Sequence, residues 1–307
     1  MKAIRVAQYG QAEGLTLQER PALAPKKGEV LIDVAGSGVN PIDWKILSGA
    51  MQAFIPLELP YTPGVEVAGR VAAVGEGVDS FAIGDEVFGF IGIVGGYATQ
   101  VIASADRLAH RPGRLSPLEA SGVPAAALTA WQALHEHAQI KAGQTILIHG
   151  AAGGVGSMAV QMAKVVGATV FATASARNHD YLKSLGADQV IDYTQNRFEA
   201  VIDEVDVVLD LVGGDTQSRS WDVLKAGGVL VSPVSPPDAA RAAEVDATGK
   251  HFATRSDGAQ LAQIATLFEG GDLMIDVEVL PLSQAEGALR KSWGRHIRGK
   301  LVLDASR

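Results

Sequence analysis

A chain of 307 residues, 47% hydrophobic and 20% charged, has the length of about two domains and the apolar content to fill their cores, which excludes long-range disorder. Its 34 acidic and 26 basic residues give a formal charge of −8, which argues against a non-specific nucleic-acid binder. The 35 glycines call for many tight turns or a backbone that approaches a ligand, and the absence of cysteine excludes disulfides, thiol nucleophiles and thiolate-held zinc.

The opening MKAIRV lacks the apolar stretch of a secretory signal, and no apolar run nears the ~18 residues of a membrane span. The expectation is a cytoplasmic protein with no membrane and no nucleic-acid partner. Up to about residue 125, short β-type runs lie between Gly, Pro and Asp turn signals. They are Lys2–Ala7, Leu15–Arg20, Glu29–Gly36, Val65–Val74, Asp85–Gly89 and Tyr97–Ile102. They predict a mostly antiparallel β-domain. From Thr145 the rhythm becomes strand and helix in alternation. Predicted strands are Thr145–His149, Thr169–Thr173, Gln189–Ile191, Val205–Leu209 and Val229–Ser232. Predicted helices are Val155–Val166, Asn178–Leu185, one near Arg197–Ile202 and one near Asp215–Leu224. Strands that are apolar nearly throughout imply a parallel sheet covered on both faces, hence an α/β doubly wound dinucleotide-binding domain. Strands Asp276–Leu280 and Lys300–Leu303, around a helix at Ser283–Ser292, return to β texture. The predicted division is 1–124 with 270–307, and 125–269.

The sharpest motif is GAAGGVG at 150–156, directly after TILIH. It places Ala151, Gly153 and Gly156 in the G-x-G-x-x-G positions. There a strand ends, the chain turns, and a helix start can meet a pyrophosphate with its amides. The alternative is an ordinary glycine-rich turn. An NAD site usually has an acid at the end of the next strand, but this chain reads FATASARN at 171–178. Ser175 and Arg177 suit a 2′-phosphate, so NADPH is expected. Otherwise Ser175 is a helix cap and Arg177 a solvated cation.

Together GSGVNPIDWK, PGVEVAGRVAAVGEGV, GDEVFG, YATQ, VPAAALTAW, HGAAGGVGSMAVQMAK, SLGADQVIDY and RGKLVL resemble the zinc-independent medium-chain dehydrogenases/reductases of the quinone oxidoreductase type, near the alkenal reductases. The resemblance implies a GroES-like β-domain plus a Rossmann doubly wound parallel-sheet domain, NADPH as cofactor, and a homodimer whose Rossmann edge lies near His251–Thr254. It puts Asn40 in the nicotinamide and substrate pocket, Thr129 near the nicotinamide, and Gly153, Gly154 and Val155 at the pyrophosphate. Ser175, Arg177 and Tyr193 surround the 2′-phosphate. Leu211, Val212, Ser232, Pro233 and Val234 follow the nicotinamide half, and Lys300 returns to the cofactor cleft.

Zinc-dependent members of the superfamily carry ligands where this chain has Val39-Asn40 and Gly64-Val65-Glu66, so no metal is expected. His135 and His137, two apart, are read as helix-surface residues, and His149 as a local polar contact. Without a Lewis acid the expected acceptors are quinones or α,β-unsaturated carbonyl compounds, whose carbonyl already delocalises the incoming charge. Trp44, Met51, Phe54, Ile55, Tyr61, Phe90, Ile91 and Ile93 are candidate apolar walls, each with core packing as its alternative. Asn40, then Tyr61, then Lys45 are the polar catalytic candidates. Asn40 could instead cap a helix at Pro41, Tyr61 hold a loop, and Lys45 pair with Asp43 at the surface. The competing functions are an enoyl-thioester reductase and a non-catalytic NADPH-binding structural or sensor protein.

Overall fold

The strand signals are realised in the computed structural model, which describes residues 1–10, 14–294 and 297–307. Seven strands come first: β1 (Lys2–Arg5), β2 (Thr16–Glu19), β3 (Glu29–Val39), β4 (Glu66–Val74), β5 (Glu86–Phe90), β6 (Gln100–Ser104) and β7 (Leu108–His110). Six follow in the α/β region: β8 (Thr145–Ile148), β9 (Thr169–Ala174), β10 (Gln189–Asp192), β11 (Val205–Leu209), β12 (Leu224–Ser232) and β13 (Thr248–His251). The last two are β14 (Val277–Pro281) and β15 (Lys300–Asp304).

Two compact units result, Met1–Ala125 with Ser256–Arg307, and Ala126–Arg255. In the first, a seven-stranded sheet runs β14-β15-β3-β4-β5-β7, with β6 also paired to β3. All its pairings are antiparallel except β14 with β15. The alternating strands bury Val30, Ile32, Val67, Val71, Val87 and Val101 in one cluster. A second cluster holds Ile4, Trp44, Leu47, Tyr61, Tyr97 and Leu301. Each large side chain taken fully out of water contributes about 1.5–3 kcal/mol.

In the second unit six parallel strands run β10-β9-β8-β11-β12-β13. The order reverses between β8 and β11, where an open α/β sheet forms its ligand crevice at the strand C-terminal ends. Helix Gly154–Val166 covers the sheet with Met158, Val160 and Met162, and ends where Gly167 takes φ +90°.

Several boundaries differ from expectation. Tyr97 precedes its strand, its carbonyl accepting the Ile4 amide. The segment near Arg197–Ile202 is only a 3₁₀ turn, Phe198–Ala200, and β12 starts at Leu224 rather than Val229. Helix Gly258–Gly270, assigned by its sequence to the dinucleotide-binding domain, falls in the first unit. It starts so close to β7 that a Cβ on Gly258 would lie 2.5 Å from the Leu108 carbonyl oxygen. The amphipathic pattern prolongs the βα rhythm and carries no sign of this change of partner. The edge strand is Thr248–His251, earlier than the expected 251–254.

Gly156 is fixed by packing, because an added Cβ would stand 2.5 Å from both Ala151 Cα and the Gly150 carbonyl oxygen. Both contacts are backbone and cannot step aside. Gly156→Ala should lower stability by about 1–3 kcal/mol, read as a shift in the urea midpoint. An unchanged midpoint would show that the turn yields freely.

Candidate active site

The turn after β8 presents a helix start with no side-chain cap hydrogen bond. The N-cap is Gly153, and its side-chain-free position leaves the first-turn amides without a side-chain acceptor. Gly153 itself contrasts with Gly156. A Cβ there would find nothing nearer than the Gly150 carbonyl at 3.5 Å, so internal packing does not demand a glycine. A bare backbone at a helix N-terminus fits an anion approaching from outside. Gly153, Gly154 and Val155 are all partly exposed, as this requires.

The other expected cofactor residues of this unit stand at or just beyond strand C-terminal ends. Ser175 follows β9 and caps the 3₁₀ turn Ala176–Asn178, with Arg177 exposed in that turn. Tyr193 follows β10 and is 57% exposed. Leu211 and Val212 follow β11, and Pro233 and Val234 follow β12 from the buried Ser232. Thr129 is buried, its Oγ1 2.7 Å from that of Thr254.

Asp210, missed in the sequence, organises two of these loops. Its fully buried carboxylate accepts from the Val212 amide at 3.0 Å, the Gly213 amide at 2.8 Å, Gln217 Nε2 at 2.9 Å and Ser232 Oγ at 2.9 Å. Ser232 Oγ in turn accepts the Val234 amide at 3.1 Å. An acid three residues before a glycine pair, in LDLVGG, was the available signal.

His149 lies immediately before the glycine turn, completely buried. Ser220 donates its hydroxyl to the Thr216 carbonyl at 2.7 Å, so it accepts from His149 Nε2 at 3.0 Å. Nδ1 then accepts from Thr173 Oγ1 at 3.0 Å. His135 and His137 are half-buried on a helical segment. They lie in a π-helical segment, Gln132–Ala138, each against an aromatic ring, Trp131 at 4.2 Å and Phe252 at 4.4 Å.

In the first unit the polar candidates form a buried network. Asn40 Nδ2 donates to Glu66 Oε1 at 2.7 Å, and Lys300 Nζ donates to Asn40 Oδ1 at 2.7 Å and to Glu66 Oε1 at 2.7 Å. The expectation sent Lys300 to the cofactor. The structure commits its ammonium to Asn40, Glu66 and the Val39 carbonyl. Asn40 also begins helix Pro41–Leu47, where its amide donates to Asp43 Oδ2 at 2.7 Å. Asp43 is 2% exposed and accepts the Tyr97 hydroxyl at 2.9 Å, which rules out the surface pair with Lys45. Burial pushes the Asp43 carboxyl up to about 7. The Lys45 ammonium lies 5.9 Å from the Trp44 ring centroid.

Tyr61 is 6% exposed, and among the described residues its hydroxyl has no hydrogen-bond partner. Burial holds its proton well above the usual phenol range. The expected apolar walls separate. Trp44, Tyr61, Phe90 and Ile91 are core, with Met51 and Ile55 packed against the cluster of Trp44 and Tyr61, whereas Phe54 is 81% and Ile93 39% exposed. Trp44 also stacks on Trp293 at 5.3 Å.

The alcohol dehydrogenase GroES-like domain matches residues 26–113, and the zinc-binding dehydrogenase domain matches residues 185–303. A chloroplastic quinone oxidoreductase of Triphysaria versicolor is 36% identical over 99% of both chains. The chain belongs to the medium-chain dehydrogenase/reductase family. Its first unit is GroES-like, its second Rossmann-like, and it is an oxidoreductase of the quinone and alkenal/one oxidoreductase group. An NADPH-dependent alkenal/one oxidoreductase of Arabidopsis thaliana is 33% identical over 99% of this chain and 79% of its own. The Escherichia coli quinone oxidoreductase complexed with NADPH superposes with a TM-score of 0.90, at 28% identity over 99% of both chains.

The zinc in one domain description does not fit the residues present. Zinc favours cysteine, histidine or carboxylate donors. Among the described residues no group of three or more His, Cys, Asp or Glu can hold a metal ion. The positions beside Asn40 and Glu66 are Val39 and Val65, both buried and apolar. No described helix is long and apolar enough to cross a membrane.

His149 yields a pH prediction. Burial lowers its pKa to about 4, against about 6.5 in an unfolded chain. The unfolded state therefore binds more protons between those values. The stabilisation is fully present above about pH 6.5 and is lost as pH falls towards 4. Asp43 acts in the opposite sense, its raised pKa lowering stability as pH rises from about 4 to about 7. Comparison with His149→Gln isolates the histidine. Between pH 7 and pH 5 the native chain should lose about 2 kcal/mol more than the variant in urea unfolding. Equal losses would mean that His149 is not held neutral.

Proposed function

We propose that this oxidoreductase uses NADPH to reduce quinones or α,β-unsaturated carbonyl compounds. The observation that carries the reading is the uncapped helix start at Gly153, where internal packing leaves a Cβ-sized space. It fits a pyrophosphate. The partly exposed Ser175 and Arg177 after β9, with no acid in 171–178, favour the 2′-phosphate of NADPH over the free ribose of NAD. Tyr193 lies beyond the neighbouring strand end, and the Asp210-bound loops carry Leu211, Val212, Pro233 and Val234 towards the nicotinamide half.

When bound, NADPH supplies the hydride. The chain's own residues orient and protonate. Asp210 presets its two loops before any ligand arrives, which lowers the ordering cost of binding. Tyr61 keeps its proton at neutral pH and has an uncommitted hydroxyl, so it is the favoured donor to a substrate oxygen. Asn40, whose polar atoms are engaged by Glu66 and Lys300, shapes the pocket more than it donates. Lys45 offsets developing negative charge. A quinone or enone suits this set, because it needs alignment and a late proton rather than a Lewis acid. We place a homodimer contact along the outer edge of β13.

The test is NADPH oxidation with a benzoquinone, a naphthoquinone, a short alkenal and a crotonyl thioester, after binding is confirmed by fluorescence. Turnover of the first three supports the proposal. Preference for the thioester favours an enoyl-thioester reductase, and binding with no turnover favours a sensor role. Arg177→Ala should weaken NADPH by roughly tenfold to hundredfold and leave NADH nearly unchanged, as loss of a charge-assisted phosphate bond requires. Equal weakening of both would refute the 2′-phosphate assignment.

A further inference from the structure

Three adjacent strand ends bring one lysine, one amide and one carboxylate into a closed set. Lys300 opens β15, Val39 and Asn40 end β3, and Glu66 opens β4. The Lys300 ammonium donates to the Val39 carbonyl at 3.0 Å, Asn40 Oδ1 at 2.7 Å and Glu66 Oε1 at 2.7 Å, which uses all of its protons. Glu66 Oε1 also accepts from Asn40 Nδ2 at 2.7 Å, and Oε2 accepts the Ala125 amide at 2.7 Å. The ion-paired side chains are 6% and 0% exposed. A Cβ on Gly38 would lie 2.2 Å from Glu66 Oε1, so a glycine makes the space for this carboxylate.

The set fixes the Asn40 amide in one sense. Turning it over would point its NH₂ at the ammonium and its carbonyl at the carboxylate, both repulsive. A carbonyl, an amide oxygen and a carboxylate around one positive charge also form the kind of oxygen cage that a hard metal ion takes. Here the ammonium fills it. We propose that Lys300 is the resident cation of this cage and a positioning residue: it is the counter-charge of Glu66 and sets the orientation of Asn40 for the reaction. The kinetic part rests on the function proposed above; the charge part stands without it.

Because the chain contains no cysteine, Lys300→Cys carries a unique thiol. Alkylation in urea with 2-bromoethylamine forms a C–S bond, expels bromide and restores an ammonium at about lysine length. Iodoacetamide gives a neutral amide instead. After refolding, the aminoethyl protein should approach the native unfolding temperature and kcat. The neutral adduct should melt roughly 5–15 °C lower, as an unpaired buried carboxylate requires. Equal unfolding temperatures for the two adducts would overturn the counter-charge role.

The double variant Lys300→Met/Glu66→Gln needs no refolding and removes both charges. It should recover most of the unfolding temperature while kcat stays about tenfold or more below native and the NADPH dissociation constant is unchanged. A native kcat in this variant would reduce the pair to packing and refute the positioning role. If the native chain reduces no electrophile at all, the functional reading fails, while the unfolding temperatures still decide the charge.

Discussion

The buried ion pair between Lys300 and Glu66 joins the two ends of a unit that the chain interrupts. In the first unit β3 pairs with β4 and β6, but its third partner, β15, arrives only after the chain has passed through all of 126–255 and returned. Closing so long a loop costs entropy that grows only slowly with length, so the insertion itself is tolerable. What the return needs is a definite register. β15 pairs with β3 from Leu301 opposite Val39 to Asp304 opposite Gly36, and a slip by one residue would turn Leu301 and Leu303 out of the core. The same slip would move the Lys300 ammonium away from Glu66 and leave a charge unpaired in the interior. Apolar packing and ion pairing thus select the same register.

The second unit solves a similar problem with Asp210. Loops at the C-terminal ends of parallel strands have backbone amides that the sheet does not use. Asp210 takes two of them from its own loop and binds Ser232, which takes two from the next. The loops expected beside the nicotinamide are therefore held by side chains below them, leaving their outer surfaces available. His149 performs a related task beneath the glycine turn, tying β8 to Thr173 on β9 and to Ser220. In both places the groups that shape the loops are buried, and the groups proposed to meet a ligand are bare backbone or exposed side chains.

This division explains what could be read from the sequence. Strands were legible because their alternation or continuous apolar character follows from burial, and GAAGGVG because a strand–turn–helix needs small residues at fixed spacing. The long-range polar partners were not legible. Lys300 and Asn40 lie 260 residues apart, and nothing local to RGK or VNP announces their hydrogen bond. The resemblance drew attention to each singly, but to Lys300 in a different role. Asp43 looked like a surface acid beside Lys45, because the alternation of a short helix does not reveal that Tyr97 will lie against it. The boundary between the units, expected at 269 and found after Arg255, was hidden for the same reason: apolar spacing tells that a face is covered, and not by which unit.

The same polar set bears on the electrostatics of the proposed reaction. A buried carboxylate needs a positive partner, and a metal ion and an ammonium both satisfy that need. They differ in what they leave over. A metal with an open coordination position can still polarise a substrate oxygen. An ammonium whose protons are all engaged has nothing further to offer in direct contact. The polarising task then falls on other donors, or on a substrate that needs little polarisation. In the proposed function Tyr61, which burial keeps protonated, is assigned the first part and a conjugated carbonyl the second. A saturated lysine at this place is therefore consistent with the proposal that the acceptor is an electron-poor carbonyl compound.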